Sequence, residues 1–306
     1  MSISMIFPGQ GSQAVGMMSA LSEQHSLVQE LFVEASEVLS VDLWEMSQNG
    51  PIETLSATEN TQPALLTAGV AAWRVWESLG GAQPQMMAGH SLGEYTALVC
   101  AGALSFADGV SLVRDRGRYM QAAVPEGLDG MAAIIGLEDD KVREVCAQTA
   151  NDDVLQAVNF NAPGQVVIAG SAAAIERATV TMKDAGAKRA LPLPVSIPAH
   201  SSLMTPASAR LEERIANIEI SMPKVPVLHN CNVEIASDVQ QIRDNLVAQL
   251  DSPVRWVESV QAMHDKGIRR YIESGPGKVL SGMVKRIVKD VDVACIDKPD
   301  AIVDLI

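Results

Sequence analysis

Gly89-His90-Ser91-Leu92-Gly93 sets a serine between two glycines, directly ahead of the helix-forming run EYTALVC. A serine hydroxyl attacks an acyl carbon only when a base takes its proton and hydrogen-bond donors receive the charge that develops on the acyl oxygen. The pattern fits a nucleophile elbow, a tight strand-to-helix turn that holds the serine oxygen clear of its neighbours. Small residues at both ends let the backbone turn closely, and a helix beginning near Leu92 presents unpaired amides. An ordinary glycine turn fits the same five residues, so the reading depends on what else the chain offers.

The chain offers five histidines as bases. His90 adjoins Ser91, but neighbouring side chains on an ordered turn diverge, which suits it to shaping the site. His200, in PVSIPAHSSLM, follows two prolines that restrain the approach and precedes a predicted helix; it fits a general base and equally a helix cap or packed polar residue. His25, His229 and His264 read as surface or structural. For the oxyanion, the backbone N–H of Leu92 follows the serine, and the loop PGQGSQ offers that of Gln10. That loop lacks the complete glycine patterns of nucleotide-binding sites.

Arg116 lies in a helix predicted over 105–124, with Leu112 and Val113 four and three positions before it and Tyr119 and Met120 three and four after. None of them can neutralise a guanidinium. Its partner is either a distant acid of the chain or the carboxylate of a ligand, which its planar fork would hold at two points. Arg114 and Arg118 share another face and read as solvent-accessible.

These residues need a scaffold. A chain of 306 residues with 47% hydrophobic and 20% charged content has enough material for a large globular core. SISMIF and PQMMAG read as buried strands, the latter delivering Ser91 to the end of a sheet, and residues 61–79 read as a long helix. This order favours a parallel α/β core. From Gly130 to Pro194 the rhythm becomes β-α-β-β-α-β, with NAPG as the central turn, which is the order of a ferredoxin-like module inserted in the larger fold. The expected division is a discontinuous catalytic domain, 1–127 and 196–306, around a subdomain at 128–195. ESGPGKVL reads as a tight turn before the last helix, and the acidic tail after Val288 as solvent-facing surface.

A net charge of −14 argues against nucleic acid as a partner. The four cysteines are far apart, which favours reduced thiols over disulfides or zinc. No signal-like leader or long apolar run is present, so no membrane contact and a cytoplasmic location are expected.

PGQGSQ, TQPAL, GHSLGEYTAL, the pair Arg116-Gly117, NFNAPGQVVIAG, VSIPAHSSLM, SPVRW and ESGPGKVLSG, in this order, resemble the malonyl-CoA:acyl carrier protein transacylase family of fatty-acid synthesis. The resemblance spans nearly the whole chain. It implies Ser91 as nucleophile, His200 as base, Gln10 and Leu92 at the oxyanion, and Arg116 on the malonyl carboxylate, with Gln249, Asn161 and His90 as active-site framework. It also implies malonyl-CoA as donor, the phosphopantetheine thiol of a holo-acyl carrier protein as acceptor, no tightly bound cofactor, no metal, and a monomer. A serine thioesterase or carboxylesterase shares the same parts, and a non-enzymatic carrier-binding scaffold would keep the loops for shape alone.

Overall fold

The structure is a computed structural model that describes residues 2–125, 127–194 and 197–306. Among these, the strands in chain order are β1 (Ile3–Phe7), β2 (Met86–Gly89), β3 (Asp129–Ile135), β4 (Leu155–Ala162), β5 (Gln165–Ser171), β6 (Arg189–Pro192), β7 (Val227–Leu228), β8 (Arg270–Glu273) and β9 (Asp292–Cys295).

The apolar runs ISMIF and MMAG are buried along their whole length, as strands covered on both faces must be. They lie in a parallel five-stranded sheet of order β7-β2-β1-β8-β9. The helix Thr58–Ser78 packs over it, its start three residues before the predicted one, and Gly69 lets it approach the sheet: a Cβ there would lie 2.7 Å from Thr96 and 3.3 Å from the Ser274 carbonyl. Against it lies the helix Phe106–Ala123, capped by the Ser105 hydroxyl on the Asp108 N–H at 3.0 Å. The helices between Ser19 and Ser56 complete this layer.

The second sheet is antiparallel, of order β4-β5-β3-β6, with helices Asp139–Thr149 and Ala172–Asp184 packed against it. A parallel bridge ties its β4 to the segment before the helix Trp256–Asp265: the Phe160 N–H donates to the Val254 carbonyl at 3.0 Å and the Val254 N–H to the Val158 carbonyl at 2.8 Å. Arg286 adds a tie to the turn between β4 and β5, donating to Pro163 O at 3.1 Å and to the Gln165 side chain. The expected boundaries at 127/128 and 195/196 fall beside or on Glu126, Val195 and Ser196, which lie outside the described residues.

The tail after Val288 is not merely solvent-facing surface. Residues 292–295 form the edge strand β9 alongside β8, and Ile296 and Ile302 are buried. Acidic flanks hid a short apolar stretch that pairs with the preceding strand β8. The loop after β8 acts as a structural turn: the buried Glu273 carboxylate accepts from the N–H groups of Leu280 (3.0 Å) and Ser281 (2.7 Å), capping the helix Val279–Ile287. Among the described residues no helix is long and apolar enough to cross a membrane.

Candidate active site

The turn after β2 is as tight as the glycines suggested. A Cβ on Gly89 would lie 1.9 Å from the Gly93 carbonyl carbon, and one on Gly93 would lie 2.0 Å from the Phe7 carbonyl oxygen. Space, rather than backbone angle, requires glycine at both positions: within the turn at Gly89, and against β1 at Gly93. Ser91 itself carries the strain, at φ 52° and ψ −108°. Asn230 holds it there, accepting the Ser91 N–H at 2.7 Å and donating to the Gly89 carbonyl at 2.7 Å.

The Ser91 Oγ lies 2.8 Å from Nε2 of His200. The other ring nitrogen, Nδ1, lies 2.7 Å from the main-chain carbonyl of Gln249. Gln249 follows the helix Val239–Ala248, whose last carbonyls have no partner within the helix and form its negative end. A carbonyl only accepts, so Nδ1 carries the hydrogen and Nε2 presents a lone pair to the serine hydroxyl. His200 is 3% exposed; burial, with the Arg116 charge adding to it, pushes its pKa down to about 3. The ring is therefore neutral across the physiological range, with the Nε2 lone pair free to accept.

Arg116 is buried, as the apolar neighbours on its helix face predicted. Nη1 donates to Gln62 Oε1 at 2.8 Å, and Nη2 donates to Gln249 Oε1 at 3.0 Å and to Ser91 Oγ at 3.1 Å. The Tyr95 ring lies 5.2 Å away. Among the described residues no carboxylate pairs with it, and its Nε–H has no partner. Arg114 departs from expectation: its side chain is only 11% exposed and lies 3.7 Å from Glu59, because the helix Thr58–Ser78 crosses that face.

These groups open onto a cleft of about 230 Å³, lined by Gln10, Ser91 and Arg116 from the larger part and by Met131, Asn159 and Leu193 from the smaller. The Leu92 N–H, first in its helix, has no intrahelical carbonyl to reach. Among the described residues the Gln10 N–H has no main-chain acceptor; the Gln10 side chain is exposed and reaches Thr58 Oγ1 at 3.4 Å. His90 Nε2 lies 2.8 Å from Asn161 Oδ1, and its ring meets Trp256 edge-on. Asn161 thus backs His90 and is not part of the cleft lining, whereas Asn159 is. Register irregularities between 157 and 159 and between 160 and 162 break the alternation that a regular strand would give.

Three site residues had escaped the sequence reading: Asn230, Gln62 and Glu94. Gln62 lies in TQPAL, whose proline-bearing helical turn was visible, but its contact with Arg116 spans 54 positions. Glu94 looked like an ordinary acid in the first turn of a helix; in fact it is buried, bonded to Gln249, Asn230 and His229. Among the described residues no cluster of three or more His, Cys, Asp or Glu could hold a metal ion.

Comparison with known proteins bears on the whole chain. The acyl transferase domain family matches residues 4–299. The malonyl CoA-acyl carrier protein transacylase of Salmonella typhimurium is 53% identical over 297 residues, which is 97% of this chain and 96% of the relative. An acyl carrier protein S-malonyltransferase solved from Vibrio cholerae superposes with a TM-score of 0.98 at 52% identity, covering 100% of both chains. A malonyl-transacylase solved with its holo type II PKS acyl-carrier protein superposes at 0.99 and 48% identity, covering 100% of this chain and 99% of that one. A strained serine hydrogen-bonded to a neutral histidine, beside a guanidinium that pairs with no acid among the described residues, therefore sits in a chain that belongs to the malonyl-CoA:acyl carrier protein transacylase family.

Proposed function

We propose that this protein moves malonyl from CoA to the phosphopantetheine thiol of an acyl carrier protein through a malonyl ester on Ser91. The observation that carries the reading is Arg116: a buried cation with no carboxylate partner among the described residues, 3.1 Å from a hydroxyl that also meets His200. An acyl thioester ending in a carboxylate supplies the missing anion within reach of the nucleophile. The names of the relatives, and the carrier bound to one of the similar structures, support the same donor and acceptor.

In the first transfer His200 Nε2 takes the Ser91 proton as Oγ bonds to the thioester carbon. The N–H groups of Gln10 and Leu92 receive the oxyanion. The carbon–sulfur bond then breaks, and the departing CoA sulfur takes the proton back from the imidazolium. In the second transfer the carrier thiol gives its proton to His200, its sulfur attacks the ester carbon, and Ser91 leaves with the proton. His90, Asn161 and Gln249 hold this arrangement. Both steps exchange acyl groups without change of oxidation state and require neither a metal nor a tightly bound cofactor.

The antiparallel unit is read as a ferredoxin-like subdomain, residues 128–195, inserted in a catalytic domain of 1–127 and 196–306; its strand order and paired helices support this. Four free thiols support a reducing, cytoplasmic setting.

Water is the competing acceptor. With malonyl-CoA and purified holo-carrier, the expected result is malonyl-carrier forming well above the rate of malonate release. Equal malonate release with and without carrier, and no malonyl-carrier, would make the protein a thioesterase.

A further inference from the structure

Behind the cleft lies a second polar layer that the transfer chemistry does not use. The Glu94 carboxylate, fully buried, accepts from His229 Nδ1 at 2.7 Å, from the Asn230 main-chain N–H at 2.9 Å and from Gln249 Nε2 at 2.8 Å. Gln249 is itself fully buried and lies between Glu94 and Arg116. Its amide has one donating end and one accepting end, which rotation about the last side-chain bond would exchange.

The two neighbours remove that freedom. An ionised carboxylate only accepts, so it must face the NH₂ end of Gln249; a guanidinium only donates, so it must face the oxygen. With the amide in that sense, Oε1 holds Arg116 Nη2 at 3.0 Å, while Nε2 also donates to the Ser91 carbonyl at 3.0 Å. The carbonyl of the same residue holds His200. Glu94 is held in turn from its far side by His229 and Asn230, and Asn230 also accepts the Ser91 N–H.

We infer that Glu94 is a positioning residue for acyl-group selection: through the amide of Gln249 it fixes the Arg116 guanidinium at the place where a substrate carboxylate is received. This rests on the proposed malonyl transfer. Glu94 touches no substrate. Its effect is carried by the polarity of one amide, so loss of its acceptor-only character should loosen Arg116 more than it disturbs Ser91 and His200.

Two variants separate polarity from shape. Glu94→Gln keeps the shape but offers both a donor and an acceptor, so the Gln249 amide can turn over. Glu94→Asp shortens the side chain but remains acceptor-only. Competing malonyl and acetyl transfer from their CoA thioesters to one holo-carrier reads the preference, with thermal unfolding measured alongside. Glu94→Gln should lower the malonyl-to-acetyl preference about tenfold or more, the size expected for a lost charged hydrogen bond. Glu94→Asp should retain more of it, and in an Arg116→Ala background Glu94→Gln should change the preference no further. A folded Glu94→Gln with unchanged preference, or a Glu94→Asp that loses more, overturns the inference and leaves a packing role. If Glu94→Gln does not fold, a folded Glu94→Asp that has lost the preference overturns it alone. Malonyl transfer by the unaltered protein tests the proposed function separately, so the two failures are distinguishable.

Discussion

At the scale of single residues, the histidine works without a carboxylate behind it. His200 is oriented by the Gln249 carbonyl, and burial with the nearby Arg116 charge pushes its pKa down to about 3. The single-turnover rate of Ser91 acylation should therefore show no loss near pH 6.5, where an ordinary histidine would protonate, and should fall only well below pH 5. A sigmoidal loss centred near 6.5 would contradict this. The same shift bears on folding. A base whose folded pKa is depressed binds fewer protons folded than unfolded, so its contribution to stability is complete above the unfolded value and declines as pH drops toward 3. Arg116→Ala removes the proposed receptor for the carboxylate and part of the push on His200. Malonyl transfer should fall about 10- to 1,000-fold, with acetyl transfer much less affected. The acid limb of the acylation profile should move up toward the ordinary histidine range. A folded variant with unchanged malonyl-to-acetyl preference would return Arg116 to a structural role. Ser91, His200 and Arg116, which the fold brings together, each left a local mark in the sequence: flanking glycines, prolines before the histidine, apolar neighbours around the arginine. Asn230 and Glu94 left none, since their importance comes from partners 139 and 155 positions away.

At the scale of elements, the elbow depends on β1, β2 and the helix Leu92–Cys100 coming closer than any side chain allows. Gly93→Ala would set a Cβ 2.0 Å from the Phe7 carbonyl oxygen, and backbone cannot yield there without moving β1. The expected cost is about 3 kcal/mol or more, seen as a lower urea midpoint, with acylation of Ser91 lost as well because the strained serine moves. An alanine variant of unchanged stability and activity would show that the turn has slack. The elements themselves were largely legible, because buried parallel strands are uniformly apolar and the long helices carry clear faces. The edge strand β9 was not, because a four-residue strand flanked by acids carries too little pattern to outweigh its surroundings. The bulges in β4, which place Asn159 in the cleft lining and Asn161 behind His90, also leave no period to read.

At the scale of the whole molecule, the cleft is lined from both the larger part and the antiparallel unit, and the chain enters the smaller sheet at Asp129. Its buried carboxyl oxygens have no hydrogen-bond partner among the described residues, and burial raises its pKa to about 6. A carboxyl whose folded pKa is raised binds more protons folded than unfolded, so the protein loses stability as pH rises from about 4 to 6. Asp129→Asn should leave the thermal midpoint unchanged below pH 4 and raise it at pH 7; a variant less stable at pH 7 would mean that the charge has a partner. None of this was visible in the sequence, which places an acid at Asp129 without saying that the fold covers it.

The central claim is that Ser91 carries malonyl between two thiols. Brief exposure to malonyl-CoA followed by mass spectrometry of the intact protein and its peptides tests it most directly. The expected result is one malonyl adduct on Ser91, absent in His200→Ala and discharged when holo-carrier is added, with the same mass appearing on the carrier. Consumption of malonyl-CoA with no adduct on Ser91, or an adduct that holo-carrier does not remove, would contradict the account.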